Sequence, residues 1–117
     1  MNRFRLILAA AAAVALVTAA PGGAATTKLV ATVGPSATIT LTKAGKKVTS
    51  LKPGSYSITV NDRSTMHNFH LTSPGVNKLT GVGFQGKKTW TLTLKKGTYK
   101  YVCDPHKSFM KGTFRVG

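Results

Sequence analysis

One cysteine, Cys103, occurs in 117 residues, so no internal disulfide can brace the chain. Acidic residues number two, Asp62 and Asp104, against 17 lysines and arginines. Past the N-terminus there is no apolar stretch of helical periodicity, no repeat and no low-complexity segment. The first shortage leaves an odd thiol that needs a metal, an intermolecular bridge or a reactive role to account for it. The second gives a formal charge of +15, which draws anionic partners: acidic proteins, anionic lipids or cell-wall polymers, or nucleic acid. Charge alone does not choose among them. The lysine pairs at 46–47, 87–88 and 95–96 sit at turns, where they also serve solubility and protect strand edges.

The N-terminus has a charged, then apolar, then small-residue order: Arg3 and Arg5, an alanine-rich run from Leu6 to Val17, and small residues through Ala24-Ala25. That is the order of a secretory signal peptide. The apolar core is short for a bilayer span, Pro21-Gly22-Gly23 breaks a helix, and no cysteine stands nearby to carry a lipid. The expectation is therefore a signal peptide over residues 1–25 and a single exported domain over residues 26–117, in the periplasm, cell envelope or medium. An uncleaved anchor helix is the competing reading. Loss of Arg3 and Arg5 lowers the charge from +15 to +13. A core this small gains stability from a bound metal.

From Lys28 onward, short segments rich in valine, threonine, isoleucine and tyrosine are punctuated by glycine and proline. The pattern predicts strands at 29–33, 37–42, 48–51, 55–60, 66–72, 88–94, 98–103 and 112–116, with residues 73–86 as a glycine-punctuated loop. Tyr56, Ile58 and Val60 share one face by the two-residue period, as do Trp90, Leu92 and Leu94, and Tyr99, Tyr101 and Cys103. Met66 reads as a core residue. Seven or eight such strands predict an all-β fold, an antiparallel Greek-key β-sandwich.

The chemistry concentrates near the C-terminus. Cys103, His106 and Met110 fall within eight positions, where Pro105 ends a strand and starts a loop. A thiolate, an imidazole and a thioether on one short loop suit a soft, redox-active metal, copper above all, and His67 is the natural further ligand. Two imidazoles and a thiolate near one plane, with a weak thioether on the axis, serve copper as it alternates between Cu(I) and Cu(II). The candidate metal set is His67, Cys103, His106 and Met110. His70, three positions along a strand from His67, points to the opposite face and is not counted as a ligand. Structural zinc is disfavoured because zinc prefers more thiolates and takes no thioether. A Cys103–His106 catalytic dyad lacks an evident third group to orient it.

Gly97-Thr-Tyr-Lys-Tyr-Val-Cys103-Asp-Pro-His106 followed by Phe109-Met110-Lys-Gly112 resembles the ligand loop of the cupredoxins, the small blue copper proteins, and especially their amicyanin, pseudoazurin and plastocyanin branch. His67-Asn68-Phe69-His70 is similar to the upstream ligand segment of amicyanin. The resemblance implies that His67, Cys103, His106 and Met110 hold one copper ion, with His106 at the solvent edge. It also implies that Asn68 ties the two ligand segments together near the sulfur, and that Phe109 and the apolar rim around His106 form a docking patch. Three residues separate His106 from Met110, a loop between amicyanin's two and plastocyanin's four. Asp104 stands where the family usually has serine or threonine; its charge either favours Cu(II) or its side chain caps the loop backbone.

The function implied is a monomeric, exported one-electron carrier that transforms no substrate itself. Its partner is a redox protein with an acidic or mixed apolar docking face, and nucleic acid is not expected. The alternatives are a copper-sequestering or copper-delivery protein using the same ligands, and a metal-free sandwich that adheres to anionic surfaces through its lysines.

Overall fold

The computed structural model describes residues 25–117. The signal-peptide reading concerns the residues before them and, apart from the exposed Ala25, lies outside the described residues. Ten strands follow in order: β1 (Thr27–Val33), β2 (Ile39–Lys43), β3 (Lys46–Lys47), β4 (Ser50–Leu51), β5 (Gly54–Asp62), β6 (His70–Ser73), β7 (Val76–Leu79), β8 (Gly86–Leu94), β9 (Gly97–Val102) and β10 (Lys111–Val116). A single 3-10 turn, Asp104–His106, stands between the last two. One sheet has the order β3-β2-β1-β5-β8 and the other β4-β10-β9-β6-β7.

Alternation explains the two layers. In β5 every second residue is buried, from Tyr56 through Ile58 and Val60 to Asp62, and β9 buries Tyr99 and Tyr101 in the same rhythm. The inner faces meet in one core, in which Phe69 stacks on Tyr101 at 5.4 Å and Tyr99 on Phe114 at 5.0 Å. Two tyrosines lock turns from inside. The Tyr56 hydroxyl donates to the Lys52 carbonyl at 2.6 Å, and that of Tyr99 to the Lys95 carbonyl at 2.8 Å. Each hydroxyl thereby binds the turn that precedes its own strand. Gly112 lies opposite Tyr101 across the β9–β10 ladder, and the tyrosine ring occupies the space where a Cβ would stand.

The all-β sandwich is as expected, but both sheets are mixed: β1 pairs with β5, and β4 with β10, in parallel. Hydrophobic alternation carries no strand direction, and these partners are distant in sequence, so only their tertiary placement reveals the pairing. The strand expected at 66–72 begins only at His70. Before it, His67, Asn68 and Phe69 are buried in succession, which a two-residue period forbids, and Met66 is 68% exposed rather than in the core. The segment expected as a loop at 73–86 contains instead the β6–β7 hairpin, turning at Pro74-Gly75 with Gly75 at φ 80°. Pro-Gly between two short runs is a turn signal that could have revealed it. The strand expected at 48–51 shrinks to Ser50–Leu51, with the Val48 N–H donating to the Leu41 carbonyl instead.

Candidate metal centre

The end of β9 delivers Cys103 in an extended conformation, φ −92° and ψ 119°, and Pro105 then turns the chain. Backbone hydrogen bonds close the loop. The Cys103 N–H donates to the Met110 carbonyl at 3.0 Å, the His106 N–H to the Cys103 carbonyl at 3.0 Å, and the Met110 N–H to the His106 carbonyl at 2.9 Å. A spacing of four is close to one helical turn, so the chain between His106 and Met110 comes back on itself as it enters β10. Cys103 is fully buried and Met110 nearly so, whereas His106 is half-buried.

His67 arrives from the irregular segment ahead of β6. Its ring lies under Gly34, where an added Cβ would stand 3.4 Å from the His67 Cδ2 and 3.0 Å from the Ser64 Cβ. Gly34 has φ 67°, so both its backbone and the space above it favour glycine. Nothing in the sequence pattern linked Gly34 to the site.

These segments bring three ligating atoms together. The Nδ1 atoms of His67 and His106 are 3.1 Å apart, and the Cys103 Sγ lies 3.7 Å from the first and 3.5 Å from the second. All three fall within 4.8 Å of one another, the grouping of metal-ligating type found among the described residues. Donors about 2.0–2.3 Å from one ion, spread around it in a plane, stand about 3.5 Å apart. The trio therefore fits a single ion, and one thiolate with two imidazoles suits copper. Met110 is buried at the return of the same loop, beside Cys103 through the backbone pairing above. His70 lies outside the trio.

Asn68 joins the two ligand segments. Its backbone N–H points at the Cys103 Sγ from 3.5 Å, its side-chain oxygen accepts from the Asp104 N–H at 2.7 Å, and its Nδ2 donates to the Asp104 Oδ2 at 2.7 Å and to the Thr80 carbonyl at 3.1 Å. Asp104 makes no cap on the loop backbone. Its other oxygen pairs with the His70 Nδ1 at 2.9 Å, and the His70 Nε2 meets the Asn77 Oδ1 at 2.6 Å. The His70–Asp104 pair escaped the sequence reading because strand alternation placed His70 on the far side of a strand that begins later than expected.

Burial would raise the Asp104 pKa, but its hydrogen bonds with His70 and Asn68, and the positive charges of His70 and Lys107, outweigh burial and hold it below the ordinary value. For His70, burial acts downward and Lys107 opposes protonation. The bonds to Asp104 and Asn77, with the Asp104 charge, act upward and prevail. A histidine whose pKa rises on folding stabilises the fold fully below the unfolded value, here 6.5, and loses that contribution as pH climbs through the higher folded value. The metal-free protein is thus expected to lose stability above pH 6.5 more steeply than its His70→Gln variant. Urea midpoints of the two proteins across a pH series check this; parallel curves would refute it.

Residues 32–117 match the family described as copper binding proteins, plastocyanin/azurin family. Amicyanin-alpha of Methylorubrum extorquens is 38% identical over 65 residues, a match spanning 53% of this chain and 54% of that relative, about half of either. Among solved structures, the copper protein rusticyanin is similar with a TM-score of 0.60 at 18% identity, covering 79% of this chain and 78% of its own. A Cu(I) form of an amicyanin mutant gives 0.53 at 19% identity, covering 80% and 86%. At such identities the structural likeness establishes the fold.

Proposed function

The chain belongs to the plastocyanin/azurin family of copper-binding proteins, and we propose that it is an exported, monomeric blue copper protein that carries single electrons between redox partners and transforms no substrate. The observation that carries this reading is the convergence of one thiol and two imidazole nitrogens within 4.8 Å at one end of the sandwich. Copper, when bound, supplies the one-electron couple. His67, Cys103, His106 and Met110 are the residues that would hold it.

The protein's own part is to hold these side chains still and dry. Backbone hydrogen bonds fix the loop from behind, burial of Cys103 keeps water from the sulfur, and the Asn68 N–H stabilises negative charge on it. His106 is the half-exposed member, and its ring lies 5.3 Å from that of Phe109, which is 59% exposed. That edge is the route we assign to the electron. Export rests on the order of residues 1–25. Among the described residues no helix is long and apolar enough to cross a membrane.

The docking face fits an acidic protein. Asp62 is only 1% exposed and Asp104 is bonded to His70 and Asn68, so neither carboxylate is free in solvent to oppose the lysines. Electron exchange with such a partner is expected to slow at least about tenfold from low to high ionic strength. Stopped-flow rates over a salt series measure this, and a flat series would exclude a charge-steered partner.

Adding Cu(II) to the purified chain from residue 26 tests the central reading. Intense visible charge-transfer absorption with a narrow copper hyperfine splitting, and a reversible one-electron wave, are expected. A pale spectrum would refute the blue site. Rapid loss of copper to a chelator, with no reversible wave, would transfer the assignment to copper delivery.

A further inference from the structure

A line of hydrogen bonds leads from the surface to the buried sulfur. It starts at the exposed Asn77 on β7, passes through His70 on β6 to Asp104, and continues through Asn68 to the Cys103 Sγ. Both ring nitrogens of His70 face oxygens, at 2.6 Å and 2.9 Å. The Asp104 carboxylate oxygen can only accept, so the His70 Nδ1 carries a proton toward it whichever way the Asn77 amide is turned. The carboxylate it faces is one residue from Cys103 and two from His106. Lys107 is the other charge acting on the pair.

We propose that His70 is a positioning residue for the copper site, balancing the charge of Asp104 and keeping Asn68 set against the Cys103 sulfur, and thereby raising the reduction potential. The proposal rests on the copper reading above. Two effects have the same sign. A carboxylate without its counter-ion, close to the metal ligands, favours the more positive Cu(II) state. A slackened N–H contact to the sulfur makes the thiolate a stronger donor, which also favours Cu(II). Both are set in motion when His70 is lost, because Asp104 then keeps only Asn68 as a side-chain partner.

The test uses the copper-loaded protein. His70→Ala is expected to shift the Cu(II)/Cu(I) equilibrium toward Cu(II) by about tenfold, or about 59 mV downward for one electron, and to move the visible band. Adding Asp104→Asn to His70→Ala should return the potential most of the way, since the unbalanced charge is gone, so the two changes should be strongly non-additive. Asn77→Ala, at the exposed outer end, should give a smaller shift of the same sign and covers the case in which His70→Ala does not fold. In the metal-free protein, the Asn68 amide should exchange with deuterium faster in either variant. A folded, blue His70→Ala protein with the wild-type potential, or strict additivity with Asp104→Asn, would overturn the inference while leaving the copper reading intact. A wild-type protein that gives no blue centre would overturn both.

Discussion

Cys103→Ser is expected to fold normally and to lose the intense visible absorption entirely on addition of Cu(II). Serine is nearly the shape of cysteine, and the Asn68 N–H that now points at the sulfur from 3.5 Å can serve the hydroxyl, so the buried position remains tolerable. What the substitution removes is the soft, polarisable donor. An alcohol is not deprotonated at neutral pH, and the charge-transfer transition requires a thiolate. His67 and His106 still face one another with Nδ1 atoms 3.1 Å apart and can retain a weakly held ion. The expected result is therefore a pale protein with an unchanged far-ultraviolet circular dichroism spectrum and copper affinity reduced at least about 100-fold, given that even outer partners of metal ligands are worth ~10–100-fold. A variant that stays intensely coloured would place the site elsewhere in the chain.

Gly112→Val is expected to damage the fold severely, at about 3 kcal/mol. The cause is space rather than backbone angle. A Cβ at this position runs into the Tyr101 ring and hydroxyl. Tyr101 cannot swing away, because it is buried and its ring stacks on Phe69 at 5.4 Å. Phe69 is fixed in turn by its N–H donating to the Thr80 Oγ1 and its carbonyl accepting from the Thr80 N–H, each at 3.0 Å. For a domain of this size the melting temperature should fall by about 12–24 °C. The same strain reaches the metal loop, since β9 and β10 carry its two ends, so copper affinity should fall with stability. A melt within two or three degrees of wild type would show that Tyr101 moves more freely than its packing implies.

Much of this was legible before the fold was known. Period-two burial along Tyr56, Ile58 and Val60, and along Tyr99, Tyr101 and Cys103, is as the sequence implied, because a half-buried strand writes its faces directly into its residues. Cys103, His106 and His67 are gathered as their chemistry suggested. The misreading of residues 66–72 has a clear origin. Backbone groups of Asn68 and Phe69 are paired with a thiol and a threonine hydroxyl rather than a strand, and such partners leave no periodic trace. Met66 was misplaced for the same reason, and the alternatives offered for Asp104 both missed the histidine that faces it. Side-chain pairs formed across dozens of residues are invisible to any local pattern.

The burial of Asp62 and the pairing of Asp104 with His70 and Asn68 give the exterior an unusual constancy. With Asp62 buried and Asp104 held by His70 and Asn68, mild acidification finds little unpaired carboxylate charge to neutralise. A neighbour approaching in sour or in neutral surroundings would therefore meet a similar electric field from the carboxylates. Such a molecule could keep its attachments through swings in acidity that would rearrange those of a protein with mixed charges.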